Sequence, residues 1–172
     1  MNRHLMLLPL SLIAIEAEAT VYMTPEQAQA TMFPGETLKP GFRTLDTAQV
    51  QAIRKAAGVS PLGRQLKVWR AASGGWLIVD EVVGKHEFIT FAVALDASGA
   101  LKSVEILDYR ESYGGQVRDS RWRAQFVGKR AGAPLQLGKE IKNISGATLS
   151  SKHVTDGVRR LLATYAIVLA NA

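Results

Sequence analysis

Residues 65–108 constrain the fold most, because they predict a run of β-strands separated by short turns. The turn residues stand at Ser73-Gly74-Gly75, Gly84-Lys85 and Asp96-Ala97-Ser98-Gly99. Connections this short predict neighbouring antiparallel strands. Between Phe88 and Leu95, large apolar side chains alternate with mostly small ones. One face of the sheet therefore carries the large apolar side chains, and we expect helices to cover that face.

Two short helices are predicted before the strands. Thr24-Pro25-Glu26 combines a candidate N-cap threonine with proline at the first helical position, and the helix continues to about Met32. Asp46 and Gln49 have the spacing of a capping box, and helical periodicity continues from them to Gly58.

Two more helices are predicted after the strands. Trp122 and Phe126 stand four residues apart among charged neighbours, which indicates a short helix. Helical periodicity then runs from Thr148 to about Leu169. The predicted fold class is α+β, an antiparallel sheet packed by flanking helices with a long C-terminal helix.

The first nineteen residues predict a signal peptide. Arg3 supplies a positive charge, Leu5–Ile15 form an apolar run, and the small residues at Ala17 and Ala19 offer a cleavage site. The apolar run is about half of the ~20 residues that span a bilayer, so no stable membrane span is expected. We therefore expect a periplasmic or secreted single domain over residues 20–172; an uncleaved anchor is the alternative.

Composition excludes several kinds of redox site. The chain contains no cysteine, which rules out disulfides, iron-sulfur ligation, CxxCH haem attachment and a lipid-modified cysteine. Outside the predicted leader only His86 and His153 remain, and neither lies in a cluster with metal-ligand spacing. No metal site is expected, and redox activity would need an external cofactor.

The chain is basic, with a formal net charge of +6. No nucleic-acid recognition motif accompanies this charge, so no nucleic-acid partner is expected. The charge favours an acidic protein partner or an anionic cofactor. A basic surface that serves solubility is the alternative.

The segment Ser145-Gly146-Ala147-Thr148-Leu149-Ser150-Ser151 directly precedes the helical periodicity of the last helix. A helix N-terminus offers unpaired backbone N–H groups and the positive end of the helix dipole, both favourable for phosphate. Gly146 and Ala147 leave room for a bulky group. The alternative is that Thr148, Ser150 or Ser151 is an ordinary N-cap.

This segment resembles the flavinylation motif of the FMN-binding domain family, found in the flavoprotein subunits of Rnf-type complexes and of sodium-pumping NADH:quinone reductase. In that family, the threonine that matches Thr148 carries FMN as a phosphodiester. The resemblance implies covalent FMN on Thr148, donated from FAD by a separate magnesium-dependent FAD:protein FMN transferase. It also implies that the rest of the segment binds the cofactor: Ser145, Gly146, Ala147, Leu149, Ser150 and Ser151.

A second patch follows the last predicted strand. Tyr109-Arg110-Glu111-Ser112-Tyr113-Gly114-Gly115 resembles the acid-hydroxyl-x-glycine turn that lies beside the isoalloxazine ring in the same family. Paired glycines let the backbone approach a flat ring, Tyr113 is a candidate for stacking, and Glu111 is a candidate for orienting backbone or ring groups. A surface turn with an exposed tyrosine is the alternative.

A third stretch, Trp122–Lys129, resembles the aromatic and Gly-Lys segment that precedes the flavinylation motif in the family. We expect its aromatic side chains in the core. The basic residues around it are candidates for docking an acidic redox partner, or for a solvated surface. They are Arg118, Arg121, Arg123, Lys129 and Arg130.

Together these features predict an exported electron-transfer flavoprotein that shuttles electrons between a membrane donor and another redox protein, such as a cytochrome. No protein side chain is expected to be catalytic, because the flavin carries the redox chemistry. Two alternatives remain: a non-redox ligand-binding or interaction domain on the same scaffold, and a small flavin-dependent reductase.

Overall fold

The computed structural model describes residues 20–172. The predicted signal peptide lies outside the described residues. Seven strands and four α-helices follow one another in the order β1 (Thr20–Val21), α1 (Pro25–Met32), β2 (Leu38–Pro40), β3 (Arg43–Thr44), α2 (Thr47–Ala57), β4 (Gln65–Ala71), β5 (Trp76–Val83), β6 (Phe88–Leu95), β7 (Leu101–Tyr109), α3 (Ser120–Arg123) and α4 (Thr148–Thr164).

The predicted strands and turns between residues 65 and 108 are confirmed, and the fold class is α+β. The strand order is β1-β7-β6-β5-β4-β2, every pair is antiparallel, and β3 pairs with β4 beside β2. The turn between β5 and β6 lies at the same end of the sheet as the end of β7, because Ile89 pairs with Tyr109. This end is called the β5–β6 end, and the opposite one the β6–β7 end.

The two faces of the sheet have different coverings. Large side chains of β6, including Phe91 and Val93, pack against α4 and α2 in one apolar core. On the other face, Ala92 and Ala94 leave room for Ala28, Met32 and Phe33 of α1 and the residue that follows it. The predicted helix cover of the bulky face is confirmed. Each fully buried large apolar side chain in these layers contributes roughly 1.5–3 kcal/mol.

The helix boundaries before the sheet follow the predicted capping residues. Thr24 and Gln27 form a capping box at the start of α1, and Asp46 and Gln49 form one at the start of α2. Gly58 ends α2 in the left-handed conformation, with a φ of 74°. Side chains thus satisfy the first backbone N–H groups of both helices.

The helices after the sheet also follow the prediction. The short helix α3 continues as a 3₁₀ turn over Ala124–Phe126, and α4 continues as a π-helical turn over Tyr165–Leu169. Trp122 and Phe126 are both buried, and their rings meet edge to face with centroids 5.2 Å apart. As expected, these aromatic side chains belong to the core.

Two contacts hold α4 against the sheet. Arg160 is 4% exposed and donates to the carboxylate of Asp80 on β5 at 2.6 Å and to the carbonyl of Glu81 at 2.8 Å. One turn earlier, Gly157 lies so close to β5 and β6 that a Cβ atom would stand 2.7 Å from Val82 and 2.8 Å from Phe91. The ion pair and the close approach together set the position of the whole helix.

Three short strands are absent from the sequence prediction. β1, β2 and β3 are two or three residues long, so they carry no alternating pattern of their own. β2 ends at Pro40, within a segment that the sequence indicates as a break. Proline is tolerated there because β2 is an edge strand.

Over residues 20–172, no helix has both the length and the apolar character needed to cross a membrane.

Replacing Gly157 with alanine tests the close approach of α4 to the sheet. In an exposed helix this change stabilises by about 1 kcal/mol, because glycine is a poor helix former. Here we expect Gly157→Ala to destabilise the domain by about 1–3 kcal/mol, since the added methyl group overlaps Val82 and Phe91. Urea unfolding measures the difference.

Gly63→Ala is the matched control, because a Cβ at residue 63 would meet no atom within 4 Å. We expect that variant to stay within about 1 kcal/mol of the wild type. Equal or greater stability of Gly157→Ala would contradict the tight helix–sheet contact.

Candidate functional site

Three segments meet at the β5–β6 end and form a cleft of about 290 Å³. One is the turn between β5 and β6, another is the loop after β7, and the third is the start of α4. The residues that line the cleft are Lys85, Tyr113, Gly114, Gly146, Ala147, Thr148, Leu149 and Ser150. The fold thus brings together two sequence patches that are more than thirty residues apart.

The start of α4 differs from the starts of α1 and α2, because no side chain caps it. Ala147 is the N-cap residue, and Thr148 is the first residue of the helix. The alternative in which Thr148, Ser150 or Ser151 is the N-cap is therefore wrong. The first backbone N–H groups of a helix have no intrahelical acceptor, so those of α4 give the cleft a positive end.

The Thr148 side chain is exposed at the cleft. Its hydroxyl oxygen accepts a hydrogen bond from the side-chain amide of Asn143, with an N–O distance of 3.1 Å. A threonine hydroxyl also carries one hydrogen to donate and a further lone pair. Thr148 is therefore oriented from one side and accessible from the other.

The chain approaches Thr148 through a turn in which the N–H of Ala147 donates to the carbonyl of Ile144 at 3.0 Å. Gly146 takes a φ of 81° in this turn, and a Cβ there would meet nothing within 4 Å. The indole of Trp122 anchors the preceding residues by donating to the carbonyl of Lys142 at 2.7 Å. The segment is thus held in place upstream and open at Gly146.

A buried tyrosine joins the sheet to the other two parts of the cleft. Tyr109, the last residue of β7, is 4% exposed, and its hydroxyl lies 2.9 Å from the hydroxyl of Ser150 on α4. It also donates to the carbonyl of Tyr113, which can only accept. Ser150 must therefore donate to the oxygen of Tyr109. Burial raises the pKa of Tyr109, so the phenol stays protonated.

The turn that carries Lys85 is fastened from two sides. The carboxylate of Glu111 accepts hydrogen bonds from the backbone N–H groups of His86 at 2.5 Å and Glu87 at 3.0 Å. On the other side, Nδ1 of His153 on α4 lies 3.1 Å from the carbonyl of Gly84. These contacts hold Lys85, an exposed cation, at the wall of the cleft.

Opposing effects act on the pKa of Glu111. Partial burial raises this pKa, but the backbone hydrogen bonds from Glu87, His86 and Lys85 together outweigh it, so the pKa lies below its ordinary value. The folded state therefore favours the charged carboxylate, which is the form that holds the turn.

The predicted site residues fall into two groups. Those that line the cleft are Thr148, Gly146, Ala147, Leu149, Ser150, Tyr113 and Gly114. The others lie behind or beside it. Glu111 binds the turn backbone, Ser151 is fully buried and donates to the carbonyl of Ala147, and Gly115 begins a 3₁₀ turn. Ser112 and Ser145 are exposed and do not line the cleft.

Three residues of the site escape prediction from the sequence. Lys85 stands in a predicted turn and Tyr109 opens the patch that resembles the turn beside the isoalloxazine ring, but neither has a predicted role at the site. Asn143 lies in a loop outside both motifs. Only the pairing of Tyr109 with Ile89 and the meeting of β7 with α4 reveal their positions. The dipeptide Gly84-Lys85 between two predicted strands is a local sequence signal, because a lysine in such a turn lies at the end of the sheet.

The five basic residues considered for partner docking do not form one free surface. Arg123 is paired with Glu105 at 2.5 Å and its side chain is 13% exposed. Arg130 donates to the carbonyl of Ser98 at the β6–β7 end, away from the cleft. Lys129 lies beside it, since its carbonyl accepts from Leu101. Arg118 stacks on Tyr22, and Arg121 pairs with Asp119.

The fold and the cleft define an α+β domain in which a threonine hydroxyl is exposed at the uncapped start of the last helix. Residues 84–163 match the model of the FMN-binding domain family. This match confirms the resemblance stated from the sequence.

Two known proteins are similar to this chain. It is 25% identical over 138 residues to one subunit of the Na(+)-translocating ferredoxin:NAD(+) oxidoreductase complex of Acetobacterium woodii, with 72% of this chain and 67% of that protein covered. The crystal structure of one subunit of the Na(+)-translocating NADH-quinone reductase from Parabacteroides distasonis superposes with a TM-score of 0.53 at 14% identity, covering 83% of each chain. The second likeness is one of fold.

A glycine pair tests the contact that Tyr109 makes behind the cleft. Gly114 has a φ of 96°, and a Cβ there would lie 2.5 Å from the Tyr109 hydroxyl and 2.7 Å from the Ser150 hydroxyl. We expect Gly114→Ala to cost about 2 kcal/mol or more of unfolding free energy, because backbone strain and overlap add. Gly115→Ala, where a Cβ meets nothing within 4 Å, should change it by no more than about 0.5 kcal/mol. Equal losses of unfolding free energy in the two variants would contradict the close packing of Gly114 against Tyr109 and Ser150.

The carboxylate of Glu111 predicts a pH-dependent contribution to stability. Glu111→Gln should destabilise by about 1 kcal/mol at pH 7, because hydrogen bonds to a charged acceptor are the stronger ones. The folded pKa is lowered, so this contribution is complete above the unfolded pKa of about 4.3 and is lost as pH falls through the folded pKa. Urea unfolding of both proteins between pH 7 and pH 3 measures the gap, with Glu87→Gln as the control. A gap that does not narrow in acid would be inconsistent with this role.

Proposed function

We propose that this chain is an exported electron-transfer flavoprotein that carries FMN through a phosphodiester to Thr148. The observation that carries the proposal is the position of Thr148. Its exposed hydroxyl lies at the uncapped start of α4 and lines a cleft inside a segment of the FMN-binding domain family. The names of the two similar proteins, both of which belong to redox systems, support a role in electron transfer.

The residues around Thr148 fit a phosphate-bearing group. The free N–H groups of the first turn of α4 and the ammonium group of Lys85 favour negative charge. Gly146 leaves open space beside the attachment point. Leu149 is 44% exposed and Tyr113 is 87% exposed, which supplies apolar surface for a flat ring. When bound, FMN supplies one-electron and two-electron redox chemistry.

Attachment requires a nucleophilic hydroxyl and an activated phosphate. Thr148 would supply the oxygen that bonds to the phosphorus of the FMN half of FAD; the pyrophosphate bond would break, AMP would leave, and the hydroxyl proton would pass to solvent or to the transferase. A separate magnesium-dependent transferase would perform this step, with its metal neutralising the developing charge. Asn143 positions the Thr148 oxygen through the 3.1 Å hydrogen bond from its amide.

Both the surface position of Thr148 and the proposed covalent bond suit a carrier that meets partner proteins. A group on Thr148 borders solvent, because Thr148 and Leu149 are both exposed. The partners are a membrane-bound donor and a second redox protein. Residues 1–19 direct export to the periplasm or cell exterior. The covalent bond retains the cofactor there without a binding equilibrium.

Intact-protein mass spectrometry tests the attachment. Protein co-expressed with the transferase should gain the mass of one FMN phosphodiester, and Thr148→Ala should gain none. Thr148→Ser should retain the adduct, because it keeps the hydroxyl. Ser60→Ala removes an exposed hydroxyl outside the segment and the cleft, and it should be fully modified. An adduct that persists in Thr148→Ala, or an unmodified wild type, would defeat the proposal.

A further inference from the structure

Among residues 20–172, Lys85 is the one charged side chain that lines the cleft at Thr148. The rest of the lining is glycine, alanine, leucine, tyrosine, serine and Thr148 itself, without a carboxylate from the described part of the chain. None of the salt bridges that the described residues form includes Lys85. Its positive charge is therefore unopposed at the cleft wall.

The turn that carries Lys85 is built around a buried glycine. A Cβ atom on Gly84 would lie 2.5 Å from Oε1 of Glu111, so the missing side chain makes room for that carboxylate. Glu111 can then accept hydrogen bonds from the N–H groups of the two residues that follow Lys85. From the other side, His153 contacts the carbonyl of Gly84. The backbone on both sides of Lys85 is thus held in place.

This turn lies beside the second turn of α4, away from the first residue of the helix. His153 stands five residues after Thr148, which is about 7.5 Å along the axis at the usual helical rise. A phosphate on Thr148 would lie at the first turn, where free backbone N–H groups stabilise it. Lys85 therefore borders the space into which a group attached to Thr148 extends.

A cation at this place acts differently on the two oxidation states of a flavin. Uptake of two electrons from a donor and one proton from water adds one negative charge to the ring system, while the charge of the phosphodiester stays the same. A cation that interacts equally with both states shifts no equilibrium between them. A cation beside the ring favours the reduced state, because it attracts the added charge.

We propose that Lys85 is a cofactor-binding residue whose ammonium group raises the reduction potential of the flavin. Gly84, Glu111 and His153 are positioning residues, which act through Lys85. This inference rests on the attachment of FMN to Thr148 proposed above. The positive end of α4 acts in the same direction as Lys85, and no described carboxylate at the cleft wall opposes them.

Reduction of the FMN-loaded protein with dithionite, followed by absorbance against a reference dye, measures the potential. Lys85→Gln should carry the flavin adduct as the wild type does, but at a lower potential. We expect loss of the charge to shift the equilibrium about tenfold toward the oxidised state, which is about 30 mV for a two-electron couple. Lys85→Arg keeps the charge and should stay close to the wild type. A fully loaded Lys85→Gln with the wild-type potential would overturn the proposal.

Lys152→Gln is the matched control for the position of the charge. Lys152 is an exposed lysine near the start of α4 that lies outside the cleft and pairs with Asp156. Its removal should shift the equilibrium by less than about twofold, because solvent and salt screen a charge on the outer surface. A fall in potential equal to that of Lys85→Gln would show that the net charge of the domain acts, and it would reject the specific role of Lys85.

Gly84→Ala tests the positioning of Lys85 without changing any charge. The added methyl group must displace the carboxylate of Glu111 from the turn. We expect this variant to lower the potential when Lys85 is present and to have no effect in the Lys85→Gln background, because both changes act through one group. Gly63→Ala, whose Cβ meets no atom within 4 Å, should leave the potential unchanged. Equal shifts in both backgrounds would contradict positioning through Lys85.

Intact-protein mass spectrometry separates failure of this inference from failure of the proposed function. A wild type without the adduct would defeat the attachment of FMN, and the role of Lys85 with it. An adduct that is present in the wild type and missing only from Lys85→Gln would show that Lys85 serves the attachment step. That result would overturn the effect of Lys85 on the potential and leave the proposed function in place.

Discussion

The hydroxyl of Tyr109 is the contact on which the candidate site depends. It is buried at the end of β7 and hydrogen-bonds to both Ser150 on α4 and the carbonyl of Tyr113. A buried hydroxyl must find partners, and here the partners belong to the two segments that form the cleft. Loss of this junction would separate the helix start from the loop, even if the sheet remained intact.

The rest of the fold keeps that junction in position. α4 is fixed along its length by the ion pair of Arg160 with Asp80 and by the close approach at Gly157. A buried ion pair adds little net stability, yet removing one partner leaves an uncompensated charge. These contacts therefore define where the first turn of α4 lies, and with it the place of Thr148 relative to Lys85.

Local sequence signals predicted the elements of this fold well. The turn residues between the strands, the alternation in β6 and the two capping boxes each arise from neighbouring residues, so they can be read without the tertiary structure. The short strands β1 to β3 exist only because they pair with longer strands. Their two or three residues hold no pattern that predicts this pairing.

The candidate site was predictable only where its residues are neighbours in the sequence. Thr148 and its neighbours form a continuous motif, whereas Lys85, Tyr109 and Asn143 reach the cleft through strand register and chain reversal. For the basic residues around α3, closeness in the sequence suggested a shared surface that the structure does not form. They are close in sequence, but Arg123 is paired with Glu105 and Arg130 is bound to Ser98. Sequence proximity did not predict a shared surface.

The two contacts that hold the Lys85 turn differ in kind. A carbonyl can only accept, so Nδ1 of His153 must carry the hydrogen that binds Gly84. Glu111 loses its acceptor charge once protonated. Protonation of Glu111 would therefore loosen the turn on the side that faces the loop after β7, and it would leave the contact of the turn with α4 in place.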